Sequence, residues 1–124
     1  MYNVPMNDLY QELILDHASN PRNFGELENS TQTVRETNAS CGDMAEFYFV
    51  IQENRIIDVK WRGVGCAIST ASSSVVSELV KGKTIQEAKD IRKEHILKEL
   101  GMQEILPTRE KCLLLPLRVL ALLE

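Results

Sequence analysis

The sequence is short of the residues that mark several common protein classes. It has only three cysteines, Cys41, Cys66 and Cys112, an odd number spread widely. That is not the pattern of a disulfide framework, and it points to thiols kept reduced. No lysine-arginine cluster stands out and the net charge is −4, so the phosphate-contacting footprint of a nucleic-acid binder is missing. No apolar run approaches the roughly 20 residues of a membrane helix. The start, Met1-Tyr2-Asn3-Val4-Pro5, lacks the basic-then-apolar order of a secretory leader. A cytoplasmic protein without a membrane or nucleic-acid partner is the expectation. What is present, 44% hydrophobic and 26% charged residues in a chain of 124, suits a single globular domain over residues 1–124.

Periodicity divides the chain. Met6, Leu9, Tyr10, Leu13, Ile14 and His17 recur at helical spacing, which predicts an amphipathic helix from about Met6 to Ala18 with His17 at the edge of the core. Asn20-Pro21 ends it, Arg22 to Ser30 reads as a loop, and Thr31 to Thr37 as a strand. Ala45, Phe47, Phe49 and Ile51 alternate with polar neighbours, and so do Ile57, Val59 and Trp61, predicting two half-buried strands joined as a hairpin. Ile68, Ala71, Val75 and Leu79 form one stripe of a helix closed by Lys81-Gly82. That stripe passes through Ser69-Thr70-Ala71-Ser72-Ser73-Ser74, whose small side chains allow close packing or leave room beside a site. Thr84-Ile85-Gln86-Glu87 is a capping box opening a helix to about Ile91. A further helix spans His95 to Leu100, with His95 facing solvent, and Leu113 to Leu123 belongs to a final core helix. Pro116 should make that helix bend or start late.

The chemistry centres on Cys41-Gly42-Asp43, a thiol and a carboxylate two residues apart. Alone, the pair is compatible with a buried structural cysteine beside a turn aspartate. The hairpin supplies more. A two-residue turn at Glu53-Asn54 pairs Gln52 with Arg55 and, followed along the ladder, Cys41 with Cys66 and Asp43 with Val64. Gly63 and Gly65 suggest a bulge, but a slip of one or two residues still leaves both thiols at the same end of the sheet. Cys66 would sit at a helix N-terminus, where the helix dipole favours the thiolate. Cys112 is read in the first turn of the last helix, flanked by Arg109 and Lys111, which would lower its thiol pKa.

These residues resemble the U-type iron-sulfur cluster scaffold family, which includes the IscU, SufU and NifU N-terminal proteins. The likeness covers nearly the whole chain: Leu9-Tyr10 through Asp16-His17 with Asn20-Pro21-Arg22-Asn23-Phe24-Gly25, then Cys41-Gly42-Asp43, Gly63-Val64-Gly65-Cys66 with Ala71-Ser72-Ser73-Ser74, Val80-Lys81-Gly82-Lys83-Thr84, and Arg109-Glu110-Lys111-Cys112. The resemblance implies an α+β domain, a three-stranded antiparallel sheet packed against about five helices, SufE/NifU-like. It also implies that Cys41, Asp43, Cys66 and Cys112 hold a transient [2Fe-2S] cluster or Zn2+. A cysteine desulfurase and apo iron-sulfur proteins would be the partners, with Cys112, near a loop, as the sulfur acceptor. One carboxylate among thiolates would be the exchangeable corner of the site. In the IscU branch a histidine precedes the third cysteine and an LPPVK segment recruits an Hsp70-type chaperone. Lys111 and Leu106-Pro107-Thr108-Arg109 stand there instead, which argues against that chaperone as a partner. Lys111 and Arg109 are closer to the SufU branch, yet the 45 residues between Cys66 and Cys112 leave no room for that branch's insertion.

Three functions follow from these expectations. The first is a scaffold that builds a [2Fe-2S] cluster and passes it on. The second is a zinc-dependent sulfur acceptor, a sulfurtransferase partner of the desulfurase, with the metal redox-silent in a Cys3Asp tetrahedron. The third is a small interaction domain with three core cysteines.

Overall fold

The computed structural model describes residues 5–39 and 42–124, and for residues 5–11 the backbone alone. Ser40 and Cys41 lie outside the described residues, so the expected facing of Cys41 and Cys66 has no counterpart there. The elements run α1 (Pro5–Ser19), β1 (Gln32–Asn38), β2 (Asp43–Gln52), β3 (Arg55–Val64), α2 (Ala67–Val80), α3 (Ile85–Lys89), α4 (Lys93–Glu99) and α5 (Pro107–Ala121). The strands form one antiparallel sheet in the order β1-β2-β3, and no described helix is long and apolar enough to cross a membrane.

The β2–β3 hairpin turns on Glu53 and Asn54, both at positive φ, the backbone a two-residue turn of matching twist requires even without glycine. Gln52 pairs with Arg55 and Ile51 with Ile56, after which the register slips and Val50 pairs with Asp58. The extra residue is Ile57, so the bulge lies there and not at Gly63 or Gly65, where Ala45 pairs with Gly63 and Met44 with Val64. Ile57 is accordingly 48% exposed and Ile56 fully buried, the reverse of what strict alternation from Trp61 and Val59 gives. Gly63 serves another purpose: a Cβ there would lie 2.4 Å from the Met44 carbonyl oxygen.

The core lies between sheet and helices. Phe47, Phe49, Val59 and Trp61 from the sheet meet Val75, Val76 and Val80 of α2 and Leu113, Leu115, Val119 and Leu120 of α5. The serine run of α2 is part of this interior. Ser69, Ser72, Ser73, Ser74 and Ser77 are all buried, and a buried hydroxyl needs a partner. Ser72 donates to the Leu113 carbonyl at 2.5 Å, while Ser77 donates to the carbonyls of Ser74 and Arg22 at 2.6 and 3.1 Å. Ser74 Oγ meets His17 Nδ1 at 2.7 Å and accepts the Arg22 amide at 2.9 Å. Small polar residues thus let α2 approach α1 and α5 closely and stitch it to both.

Several helix boundaries differ from expectation, that of α4 among them, which begins at Lys93 and not at His95. The Thr84–Glu87 capping box is formed, with the Thr84 amide on Glu87 Oε1 at 2.9 Å and the Glu87 amide on Thr84 Oγ1 at 3.1 Å, but α3 ends at Lys89. α5 does not start late. It begins at Pro107, where a missing N–H costs nothing, and continues through Pro116. Pro116 has no N–H to offer the Cys112 carbonyl; the Ser72 hydroxyl caps the next carbonyl, that of Leu113.

Two outcomes follow from these buried polar contacts. Ser72→Ala leaves the Leu113 carbonyl without that donor and should cost about 1–3 kcal/mol in denaturant unfolding, with a lower melting temperature. Burial first, and the Arg22 guanidinium second, hold the His17 imidazole below its ordinary pKa. The unfolded chain therefore binds the proton more readily, so this contribution is complete above about pH 6.5 and is lost as pH falls towards the folded value. Unfolding free energy measured from pH 8 to pH 5 should decline, and the decline should shrink in His17→Gln.

Candidate metal centre

Three chain segments, far apart in sequence, meet at the end of the sheet away from the hairpin turn. Asp43 is the first residue of β2, opposite Asn38 of β1. Cys66, separated from β3 by Gly65 alone, is the N-cap of α2, in extended conformation. Cys112 comes from α5. One carboxylate oxygen of Asp43 and the sulfurs of Cys66 and Cys112 all lie within 4.8 Å of one another, and among the described residues no other trio of His, Cys, Asp or Glu ligand atoms is so close. Asp43 and Cys112 are buried, at 3% and 1% exposure, while Cys66 is partly open.

The local backbone explains the closeness. The Cys66 amide donates to Asp43 Oδ1 at 3.3 Å. A Cβ on Gly65 would stand 2.5 Å from Asp43 Oδ1 and 2.4 Å from Ser69 Oγ, so only glycine allows the carboxylate and the start of α2 to come together here. The sequence marks Gly65 as a bulge, but its use is this close approach. Asp43 Oδ2 is buried and has no hydrogen-bond partner among the described residues, an orphan that buried carboxylates rarely show.

The two thiols are held differently. Burial pushes the Cys66 thiol up, but hydrogen bonds from the Ser69 amide, Cys112, the Ile68 amide and the Ser69 hydroxyl outweigh it and leave the pKa below its ordinary value. The expectation of a thiolate favoured by a helix N-terminus is met there. Cys112 departs from its expectation. Because α5 begins at Pro107, Cys112 falls in the second turn, beyond the helix-end field, and it packs inward on the stripe of Leu115, Pro116 and Val119. Burial first, then Asp43 and Cys66, push its thiol well up. Arg109 and Lys111 are exposed and do not offset this. A buried stripe at i+3, i+4 and i+7 was the signal in the sequence; the flanking charges describe only the outer face of the helix.

The donor set fits a thiophilic or borderline metal. Two sulfurs and a partnerless carboxylate oxygen converge, and negative groups that penalise one another when alone are stabilised by a shared cation. Cys41, two residues before Asp43, completes the set that the family resemblance implies but lies outside the described residues.

The chain is similar to known proteins along most of its length. The sequence pattern of the family described as NifU-like N terminal domain matches residues 9–120. The iron-sulfur cluster assembly scaffold protein IscU 1 of Archaeoglobus fulgidus is 39% identical over 93 residues, covering 75% of this chain and 61% of that protein. The zinc-dependent sulfurtransferase SufU of Bacillus subtilis is 37% identical over 92 residues, covering 74% of this chain and 62% of that one. The chain thus spans about three fifths of the length of these two relatives. The crystal structure of FiSufU from Fervidobacterium islandicum AW-1 superposes with a TM-score of 0.77 at 33% identity, covering 93% of this chain and 96% of that one. With its α+β architecture, its site at the strand-to-helix junction and a family match over nearly its whole length, the chain belongs to the NifU-like N-terminal domain family of U-type iron-sulfur scaffolds.

Proposed function

We propose that this chain is a scaffold on which a [2Fe-2S] cluster is assembled from iron and desulfurase-derived sulfur and from which it passes to apo-proteins. The observation that carries the reading is the buried Asp43 carboxylate, one oxygen without a partner among the described residues, drawn within 4.8 Å of two thiol sulfurs. Cys41, Asp43, Cys66 and Cys112 are the residues assigned to hold the cargo. The thiolates give strong, soft bonds to iron, and Asp43 gives the harder and more exchangeable one.

Sulfur arrives as a persulfide on the desulfurase. An acceptor thiolate attacks its terminal sulfur, and the desulfurase cysteine leaves as a thiolate. Of the two described thiols, Cys66 is the more open and the more readily ionised, so we place the first acceptance on Cys66 in preference to Cys112, whose burial works against both requirements. Val64 and Leu106, 65% and 70% exposed, stand beside Cys66 and at the start of α5. They offer a partner apolar contact at the rim of the site.

A second reading, zinc-dependent sulfur transfer, is favoured by the likeness to the Bacillus subtilis sulfurtransferase. Zinc held by the same residues would supply a redox-silent positive charge that keeps the thiolates ionised.

Elemental analysis of protein purified without added metal separates the two: stoichiometric zinc with stimulated desulfurase turnover supports the second reading. Anaerobic reconstitution with iron, cysteine and a desulfurase should give visible absorbance that is lost in Cys41→Ala, Cys66→Ala and Cys112→Ala; a full cluster in all three would refute the site. Asp43→Ala should retain the cluster and slow its transfer to an apo-ferredoxin severalfold, whereas loss of all binding would contradict the exchangeable-corner assignment.

A further inference from the structure

The buried serines of α2 do not all serve packing. The hydroxyls of Ser72 and Ser77 are committed to carbonyl groups, and Ser74 to His17 and the Arg22 amide. Ser69 is placed differently. Its hydroxyl lies 3.1 Å from the Cys66 carbonyl oxygen and 3.9 Å from Cys66 Sγ, the far edge of hydrogen-bonding range for sulfur. The Cys66 carbonyl already accepts the Thr70 amide at 3.1 Å, so the Ser69 proton can leave it without stranding a buried acceptor. The space a Cβ on Gly65 would fill is bounded by Ser69 Oγ and Asp43 Oδ1 together, which sets the hydroxyl on the flank of the site. Ser69 is only 4% exposed, so water does not compete freely for it.

We propose that Ser69 is a positioning residue for Cys66, its hydroxyl lying within reach of both the Cys66 carbonyl and the Cys66 sulfur and able to donate to the sulfur when Cys66 serves as a ligand. The inference rests on the metal-binding reading above. A thiol donates to Ser69 Oγ; a thiolate can only accept, and the hydroxyl reverses to meet it. When the Cys66 sulfur leaves a metal it keeps the bonding electron pair, and its negative charge grows as the bond stretches. A hydrogen bond to that sulfur is therefore stronger after departure than before, and it speeds departure. No proton has to be taken from solvent.

The test uses Co2+ as the metal probe in the full chain, comparing wild type, Ser69→Ala, Ser69→Thr and Ser72→Ala. Two quantities are read: the wavelength of the thiolate-to-cobalt charge-transfer band, and the rate at which excess EDTA extracts Co2+. Ser69→Ala should move the band to longer wavelength, because the sulfur loses its hydrogen bond, and slow extraction roughly tenfold, the worth of a hydrogen bond to a charged group. Ser69→Thr should return both towards wild type. Ser72→Ala should lower the melting temperature and move neither. A Ser69→Ala protein with wild-type band and rate overturns the inference, as does a Ser72→Ala protein that moves both equally. A wild-type protein with no thiolate-to-cobalt band overturns the metal-binding reading itself and the inference with it.

Discussion

The site depends on the register of one hairpin. Glu53 and Asn54 close a two-residue turn, and every pair down the ladder is counted from it. Had the strands run without interruption, Asp43 would face Val64. The additional residue at Ile57 shifts the far half of β3 by one step, and Asp43 comes against Gly65, the position where a missing side chain lets its carboxylate reach the Cys66 amide. A bulge seven residues before Val64, remote from the ligands, thus decides which backbone group the carboxylate meets. Bulges next to functional sites re-aim side chains in this way; here the re-aiming is transmitted along a strand.

Much of this was legible in the sequence, and the misses have physical causes. Period-two patterning located both hairpin strands, because Phe47, Phe49, Val59 and Trp61 are large apolar residues between polar ones. It could not locate the bulge, because Ile56 and Ile57 are identical in chemistry and either could face the core. The capping box fixed the start of α3, since Thr84 and Glu87 satisfy each other locally, but nothing local fixed its end. Cys112 was misjudged because its neighbours in sequence are charged while its neighbours on the helix face, Leu115, Pro116 and Val119, are not. The convergence of Asp43, Cys66 and Cys112 was anticipated from family likeness and strand register together; the reason Asp43 fits there, an absent Cβ on Gly65, needed three dimensions.

The interior makes the arrangement tolerable. A carboxylate and two thiols gathered close together oppose one another, and burial first, with Asp43 and Cys66 after it, pushes the Cys112 thiol up. The surrounding scaffold of Phe47, Phe49, Trp61, Leu113 and Leu120 is well buried and carries the cost of a centre arranged for exchange. Polar residues within that scaffold are tied off individually, as with Ser72 on Leu113 and Ser77 on Arg22. Ser69, by contrast, lies within reach of both the Cys66 carbonyl and the Cys66 sulfur.

The spread of the ligands along the chain has a consequence for biosynthesis. During translation the sheet, Asp43 and Cys66 emerge well before α5, and domains begin to organise from the N-terminal side. The carboxylate and the more ionisable thiol thus exist for a time without the helix that supplies Cys112 and roofs the core. A nascent chain at that stage has an open corner and no enclosed centre, and α5 docking through Leu113, Leu115 and Val119 is what closes it. Closure of the site is thereby tied by topology to the arrival of α5, the last of the described elements.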